Sequence, residues 1–192
     1  MLAQITRCFW ATGDPLLVRY HDEEWGVPLH DDRKLFEFLV LDAFQAGLSW
    51  LTILRKREAF RRAFHNFEPA LIARYTDYER RRLLADPDIV RNGRKIEATI
   101  VNAQRVLEVQ REFGSLDRYL WQFTAYKTLR NPQGVTQATM RATSPESDAM
   151  TRDLKRRGFG FVGSTTCYAF MQAAGMVNDH VDKCFRAAAP SP

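Results

Sequence analysis

Apolar residues recur three and four positions apart along nearly the whole chain, and no stretch alternates apolar with polar for long enough to make a strand. That rhythm is the period of an α-helix with one buried face, so such a chain must pack helix on helix. From Asp31 and Asp32, which suit an N-cap, the pattern runs through Leu35, Phe38, Leu39 and Ala46, and Gly47 closes it. Ser49 caps a second helix carrying Trp50, Ile53, Leu54, Phe60 and Phe64. Pro69 suits a first helical turn, and Asp77 caps a short helix through Leu84. Ile96, Ile100, Ala103 and Leu107 mark a long helix that Gly114 ends, and Ser115 opens another with Leu116, Tyr119, Leu120 and Phe123 on one face. Between Thr124 and Pro145 the period fades, which predicts an irregular, mobile loop. A helix to Arg157, a glycine-rich turn and an apolar helix to Gly175 follow. The fold class is all-α.

At 192 residues and 45% hydrophobic content, the chain is expected to form one domain over residues 1–192. No apolar run is long enough to span a bilayer, and the first residues lack a signal-peptide core. Three cysteines are an odd count, which argues against a disulfide framework and for the reducing cytoplasm. Cys167 falls in an apolar stretch and reads as a buried thiol. The net charge of +5 is modest, but Arg55 to Arg62, Arg80 to Lys95 and Lys155 to Arg157 are basic runs. They are either solvated helix faces or the footprint of a polyanion such as DNA or RNA.

Two pairs of soft ligands sit at opposite ends of the chain: Cys8 with His21, and His180 with Cys184. His180 and Cys184 lie four apart, so a helical turn would point both the same way, whereas the Cys8–His21 spacing suits a loop. Two thiolates and two imidazoles make a closed tetrahedral zinc set, which would clasp the termini and leave no open position for chemistry. Two buried cysteines and two unrelated histidines are the alternative, because the short C-x2-C pair of strong zinc motifs is missing.

Three other groups could carry chemistry. Gly158, Gly160 and Gly163 lie between two helices, where glycines let the backbone approach a phosphate and the next helix, opened by Ser164 and Thr165, offers free amides. The same residues read equally as a plain helix–helix turn; a dinucleotide site is rejected because no βαβ context surrounds them. Asp42 shares the apolar face of Leu35, Phe38 and Leu39, so it is either paired with a cation or forms the floor of a pocket. Trp10, Tyr20, Trp25 and Trp50 crowd the first fifty residues, as core or as aromatic walls for a flat, cationic ring.

Taken together the residues resemble the bacterial 3-methyladenine DNA glycosylase I family of the helix-hairpin-helix glycosylase superfamily. The matching segments include Cys8-Phe9-Trp10, Tyr20-His21-Asp22-Glu23-Glu24-Trp25-Gly26-Val27-Pro28 and Gln45-Ala46-Gly47-Leu48-Ser49-Trp50. Arg55-Lys56-Arg57-Glu58, Leu154-Lys155-Arg156-Arg157-Gly158-Phe159 and Val177-Asn178-Asp179-His180 follow in the family's order. The resemblance implies a hairpin over about 147–175 and a structural zinc held by Cys8, His21, His180 and Cys184, in clasp segments 8–21 and 180–184. It implies hydrolysis of the N-glycosidic bond of 3-methyladenine in alkylated double-stranded DNA, leaving an abasic site. The flipped base would stack on Trp50 between Trp10 and Tyr20, with Asp42 as base-binding and catalytic carboxylate. Leu48 would probe the gap in the stack, while Gly158, Gly160, Gly163, Ser164 and Thr165 would hold the backbone. No Schiff-base lysine, membrane or obligate protein partner is expected, and the protein is expected to act as a monomer. Asp179, beside a zinc ligand, is expected to orient that ligand.

One residue departs from the family. The glutamate that usually opens its Glu-Gly-x-Gln-Ala-Gly segment is Asp42 here, one methylene shorter. A zinc-stabilised DNA-binding paralogue with little excision, or a glycosylase for another alkylated purine, are therefore the competing expectations.

Overall fold

The computed structural model describes residues 5–188, so both extremities of the 1–192 span lie outside it. Among the described residues the chain forms nine α-helices: α1 (Pro15–Glu23), α2 (Asp32–Gln45), α3 (Trp50–Ala63), α4 (Pro69–Ile72), α5 (Asp77–Ala85), α6 (Gly93–Phe113), α7 (Leu116–Trp121), α8 (Pro145–Arg156) and α9 (Ser164–Ala173). No helix of the described residues is long and apolar enough to cross a membrane. Their starts follow local capping chemistry. The side chains of Asp31, Ser49 and Ser115 accept from the backbone N–H of Lys34, Thr52 and Arg118, satisfying donors that a first turn leaves free. Asp77 is not the cap of α5: Thr76 is, in a reciprocal capping box with Glu79, and Asp77 is the first helical residue.

Helix α2 runs through the centre and packs on α3, α6, α7 and α9. Every residue from Leu35 to Phe44 is buried, so the helix has no solvent face over these turns and its two carboxylates, Glu37 and Asp42, are interior. The core extends from α2 through Phe60, Phe64 and Phe67 on one side and Tyr168, Phe170 and Met171 on the other.

Two sequence expectations require correction. Residues 15–23 form α1, so His21 stands on a helix rather than in a loop. His180 and Cys184 lie in turns instead of a helix, with the Cys184 N–H bonded to the Val181 carbonyl at 2.7 Å. The segment from Thr124 to Pro145 is irregular, as its fading period predicts, and a single parallel bridge between Leu129 and Val177 joins it to the C-terminal tail. Arg130 adds bonds to Asn178, to the His180 carbonyl and to Asp182.

Candidate functional site

The site begins with the contrast between the two carboxylates of α2. Glu37 is buried against Arg57 at 2.5 Å and Arg61 at 2.8 Å, the paired arrangement that makes an interior charge tolerable. Asp42, 5% exposed, has no such partner, and its Oδ2 is buried without any hydrogen bond. Burial pushes the Asp42 carboxyl well above the ordinary carboxylate range. It faces a cavity of about 370 Å³ whose walls include Trp10, Tyr20, Trp25, Trp50, Met140 and Gln172. The Tyr20 and Trp50 rings approach to 5.2 Å between centroids, and the Trp50 indole N–H is also buried without a partner. Burial, and then the Asp42 carboxylate, hold the Tyr20 phenol well above its usual range, so it remains an O–H. The cavity is thus walled largely by aromatic rings and holds one acid that no cation pairs, a set suited to a flat cationic ring.

Directly behind the aromatic wall lies the Cys/His cluster. The ligand atoms of Cys8, His21, His180 and Cys184 all fall within 4.8 Å of one another, and all four residues are buried. Sulfur–nitrogen separations are 3.3 Å (Cys184 to His21 Nε2) and 3.5 Å (Cys8 and Cys184 to His180 Nδ1). A tetrahedron with zinc-like bond lengths has sulfur–nitrogen edges of about 3.5 Å, so the donors fit a metal of that size. Burial pushes the Cys8 thiol up to about 12 and the His180 imidazole down to about 4. Both groups are then neutral unless a cation draws the thiols into thiolates.

Each imidazole is aimed by a second contact. His21 Nδ1 meets Asp22, itself gripped by Arg7, which turns Nε2 toward the cluster, where the Cys8 backbone N–H also reaches it at 3.3 Å. His180 Nε2 donates to the Trp25 carbonyl at 3.0 Å, which leaves Nδ1. Gly26, in the left-handed region, allows this approach: a Cβ there would stand 2.9 Å from His180 Nε2. Asp179, expected to orient a ligand, does something else: its Oδ2 accepts from Tyr168 and from the cavity residue Gln172. The cluster braces the cavity, since Trp10 packs edge-on to His21 at 5.3 Å and Trp25 edge-on to His180 at 4.6 Å. Consecutive positions on α1 link the two, Tyr20 facing the cavity and His21 the cluster.

The remaining predicted residues lie on two turns. Leu48 follows Gly47 in the α2–α3 turn and is exposed, and the Lys95 ammonium, reaching from α6, caps the end of α2 by donating to the Phe44 and Ala46 carbonyls. Gly158, Gly160 and Gly163 lie in the turn joining α8 to α9, which pack on each other. There Asn102 of α6 bonds both the N–H and the carbonyl of Gly160, and Gly163 starts α9 without a side-chain cap. The Ser164 hydroxyl donates to Asp148 and meets the Ser147 hydroxyl, so its backbone N–H is the donor left to meet a ligand.

The basic runs contribute less field than their sequence suggests. Arg57, Arg61, Arg80, Arg156 and Arg157 are consumed in internal ion pairs. Arg157 in addition lies over the rings of Phe113 and Tyr119 rather than beside the glycine turn. Lys155, at the same turn, is exposed and makes no ion pair with a described residue. Gln172 and Met140 were missed from the sequence; only the fold brings them to the cavity.

The chain is similar to known proteins over nearly its whole length. The family model described as methyladenine glycosylase matches residues 10–187. DNA-3-methyladenine glycosylase 1 of Escherichia coli strain K12 is 46% identical over 182 residues, covering 93% of this chain and 95% of that protein. The DNA-3-methyladenine glycosylase of Haemophilus influenzae is 40% identical, covering 93% and 96%. A solved structure of 3-methyladenine DNA glycosylase I from Staphylococcus aureus superposes with a TM-score of 0.91 at 36% identity, covering 96% of this chain and 97% of that one. With the family model matching residues 10–187 and relatives 46% and 40% identical over nearly the full length, the chain belongs to the methyladenine glycosylase family.

Proposed function

We propose that this protein excises 3-methyladenine from alkylated double-stranded DNA by hydrolysing the N-glycosidic bond. The carrying observation is the unpaired Asp42 carboxyl buried beneath tryptophan and tyrosine walls, one helical turn and a half from a carboxylate that is fully paired. An acid left without a cation in the interior is costly, and a cationic ligand would relieve that cost. Adenine methylated at N3 carries such a charge, whereas unmodified adenine does not and stays better paired in its duplex.

Trp50, Trp10 and Tyr20 hold the extruded base, and Asp42 faces its charge. As the bond breaks, the N9–C1′ electron pair neutralises the base and positive charge moves to the sugar, where the same carboxylate stabilises it. Water adds to C1′, its proton passes to solvent, and a neutral base and an abasic site remain. Leu48 fills the gap in the stack, offsetting part of the few kcal/mol that extrusion costs. The α8–α9 pair acts as a helix-hairpin-helix whose Gly158, Gly160 and Gly163 backbone, with the amides of Ser164 and Thr165, grips phosphates without reading sequence. Cys8, His21, His180 and Cys184 would hold zinc, which supplies a structural cross-link and no reactive position. The protein works as a cytoplasmic monomer on this reading.

The shorter side chain of Asp42 keeps open a glycosylase for another alkylated purine. Chromatography of purines released from dimethyl-sulfate-treated DNA, with Asp42→Glu alongside, separates the cases. Free 3-methyladenine from the wild type is the expected result. Release only from Asp42→Glu would indicate a pocket suited to a different base. Silence from both folded, metal-loaded proteins would overturn the enzyme reading in favour of a DNA-binding paralogue.

A further inference from the structure

Tyr168 and Gln172 stand four apart on α9 and therefore on one face, and both reach Asp179 in the following tail. The Tyr168 O–H and the Gln172 Nε2 each lie 2.7 Å from the same carboxylate oxygen. A carboxylate oxygen can only accept, so chemistry fixes which end of the Gln172 amide faces it: the NH2 group. The other end, Oε1, accepts no hydrogen bond from a described residue, and Gln172 lines the cavity beside Asp42. A glutamine free to rotate offers either end of its amide; here Asp179 holds the nitrogen, and Oε1 is the end left over.

We propose that Gln172, held by Asp179, is a specificity-determining residue whose carbonyl oxygen accepts from the exocyclic amino group of a methylated adenine and rejects the 6-oxo group of a methylated guanine. The inference rests on the glycosylase reading and adds to it the choice between purines. Adenine and guanine differ at that position by exchange of a donor for an acceptor, so a fixed acceptor discriminates in both directions. At position 6 the two groups are nearly the same size, so there the choice falls to hydrogen bonding, although guanine also differs by its 2-amino group. Discrimination by a buried polar group left unpaired is stronger than that by a missing methylene. Asp179 acts through Gln172 and is a positioning residue.

The test measures the ratio of 3-methyladenine to 3-methylguanine released from methylated DNA, with metal content checked for every protein. Gln172→Leu keeps the bulk and removes the acceptor, and the ratio is expected to fall at least tenfold. Asp179→Ala frees the amide to rotate, and the ratio is expected to fall in the same direction while 3-methyladenine is still released. A merely structural role would lower both products together. Quenching of the cavity tryptophans by each free base supplies a measurement on the wild type alone, in which 3-methyladenine is expected to bind at least tenfold more tightly. A Gln172→Leu ratio unchanged within twofold, or equal binding of the two free bases, overturns the proposal. Failure of the wild type to release either base would instead sink the glycosylase reading, and the binding comparison would still decide the role of Gln172.

Discussion

Replacing Asp42 by asparagine exchanges a carboxyl group for an amide of nearly equal size in a place where only the charge is anomalous. The folded chain holds the Asp42 proton far more tightly than the unfolded chain does, because burial opposes ionisation and no cation offsets it. Below the carboxyl range of the unfolded chain both states are protonated and Asp42 exacts no penalty. As pH rises through that range the unfolded chain ionises first, so native stability drains away until the folded-state value is reached. Asp42→Asn removes this loss. Either side chain leaves a buried polar group orphaned, at about 1–3 kcal/mol, but near neutral pH the acid carries an excess of similar size, and that excess is what the variant should gain. For a chain of this length each kcal/mol moves Tm by about 2–4 °C, which gives a rise of about 2–12 °C. Calorimetry of metal-loaded wild type and variant at pH 5 and pH 8 is the assay; the gap in Tm should widen at the higher pH. Base excision should fall about a hundredfold or more in the same variant, because its gain in stability comes from discarding the charge that faces the substrate. A gap of the same size at both pH values, or a wild type more stable at pH 8, would refute the argument that Asp42 is an unneutralised interior acid.

Three further outcomes follow from named contacts. Gly26→Ala places a Cβ 2.9 Å from His180 Nε2 at a residue with φ +76°, and should cost at least about 1–2 kcal/mol. It should also accelerate metal loss to a chelator, read by a colorimetric zinc indicator. Cys184→Ser should abolish stoichiometric zinc by elemental analysis and lower Tm more than chelation of the wild type does, since it also removes the buried sulfur that His21 and His180 both contact. Asn102→Ala frees the N–H and carbonyl of Gly160, so DNA affinity by fluorescence anisotropy should drop while free-base binding stays unchanged.

Helix starts were legible in the sequence because capping is settled within a few residues. Asp31, Ser49 and Ser115 each satisfy an amide three positions on, whatever the rest of the chain does. The helical class, the long helix ended by Gly114 and the paired helices around the glycine turn were readable for the same reason. The four soft ligands could be named from residue type and from the family resemblance, though their spacing misled: His21 is helical, and His180 with Cys184 is not.

What the sequence by itself determined, then, is the helical class, the cast of reactive residues and the anomaly of an acid among apolar neighbours. The tertiary structure alone decided which of the two acids on α2 is neutralised, since Arg57 lies twenty residues from Glu37 and reaches it only after α3 folds back on α2. It also decided that Arg157 serves Glu112 and Asp153 rather than a phosphate, and that Gln172 lines the cavity with its amide nitrogen held by Asp179. Capping and periodicity are fixed by bonds between near neighbours, whereas the pairing of charges and the aim of an amide depend on which distant side chains packing brings within about three ångströms.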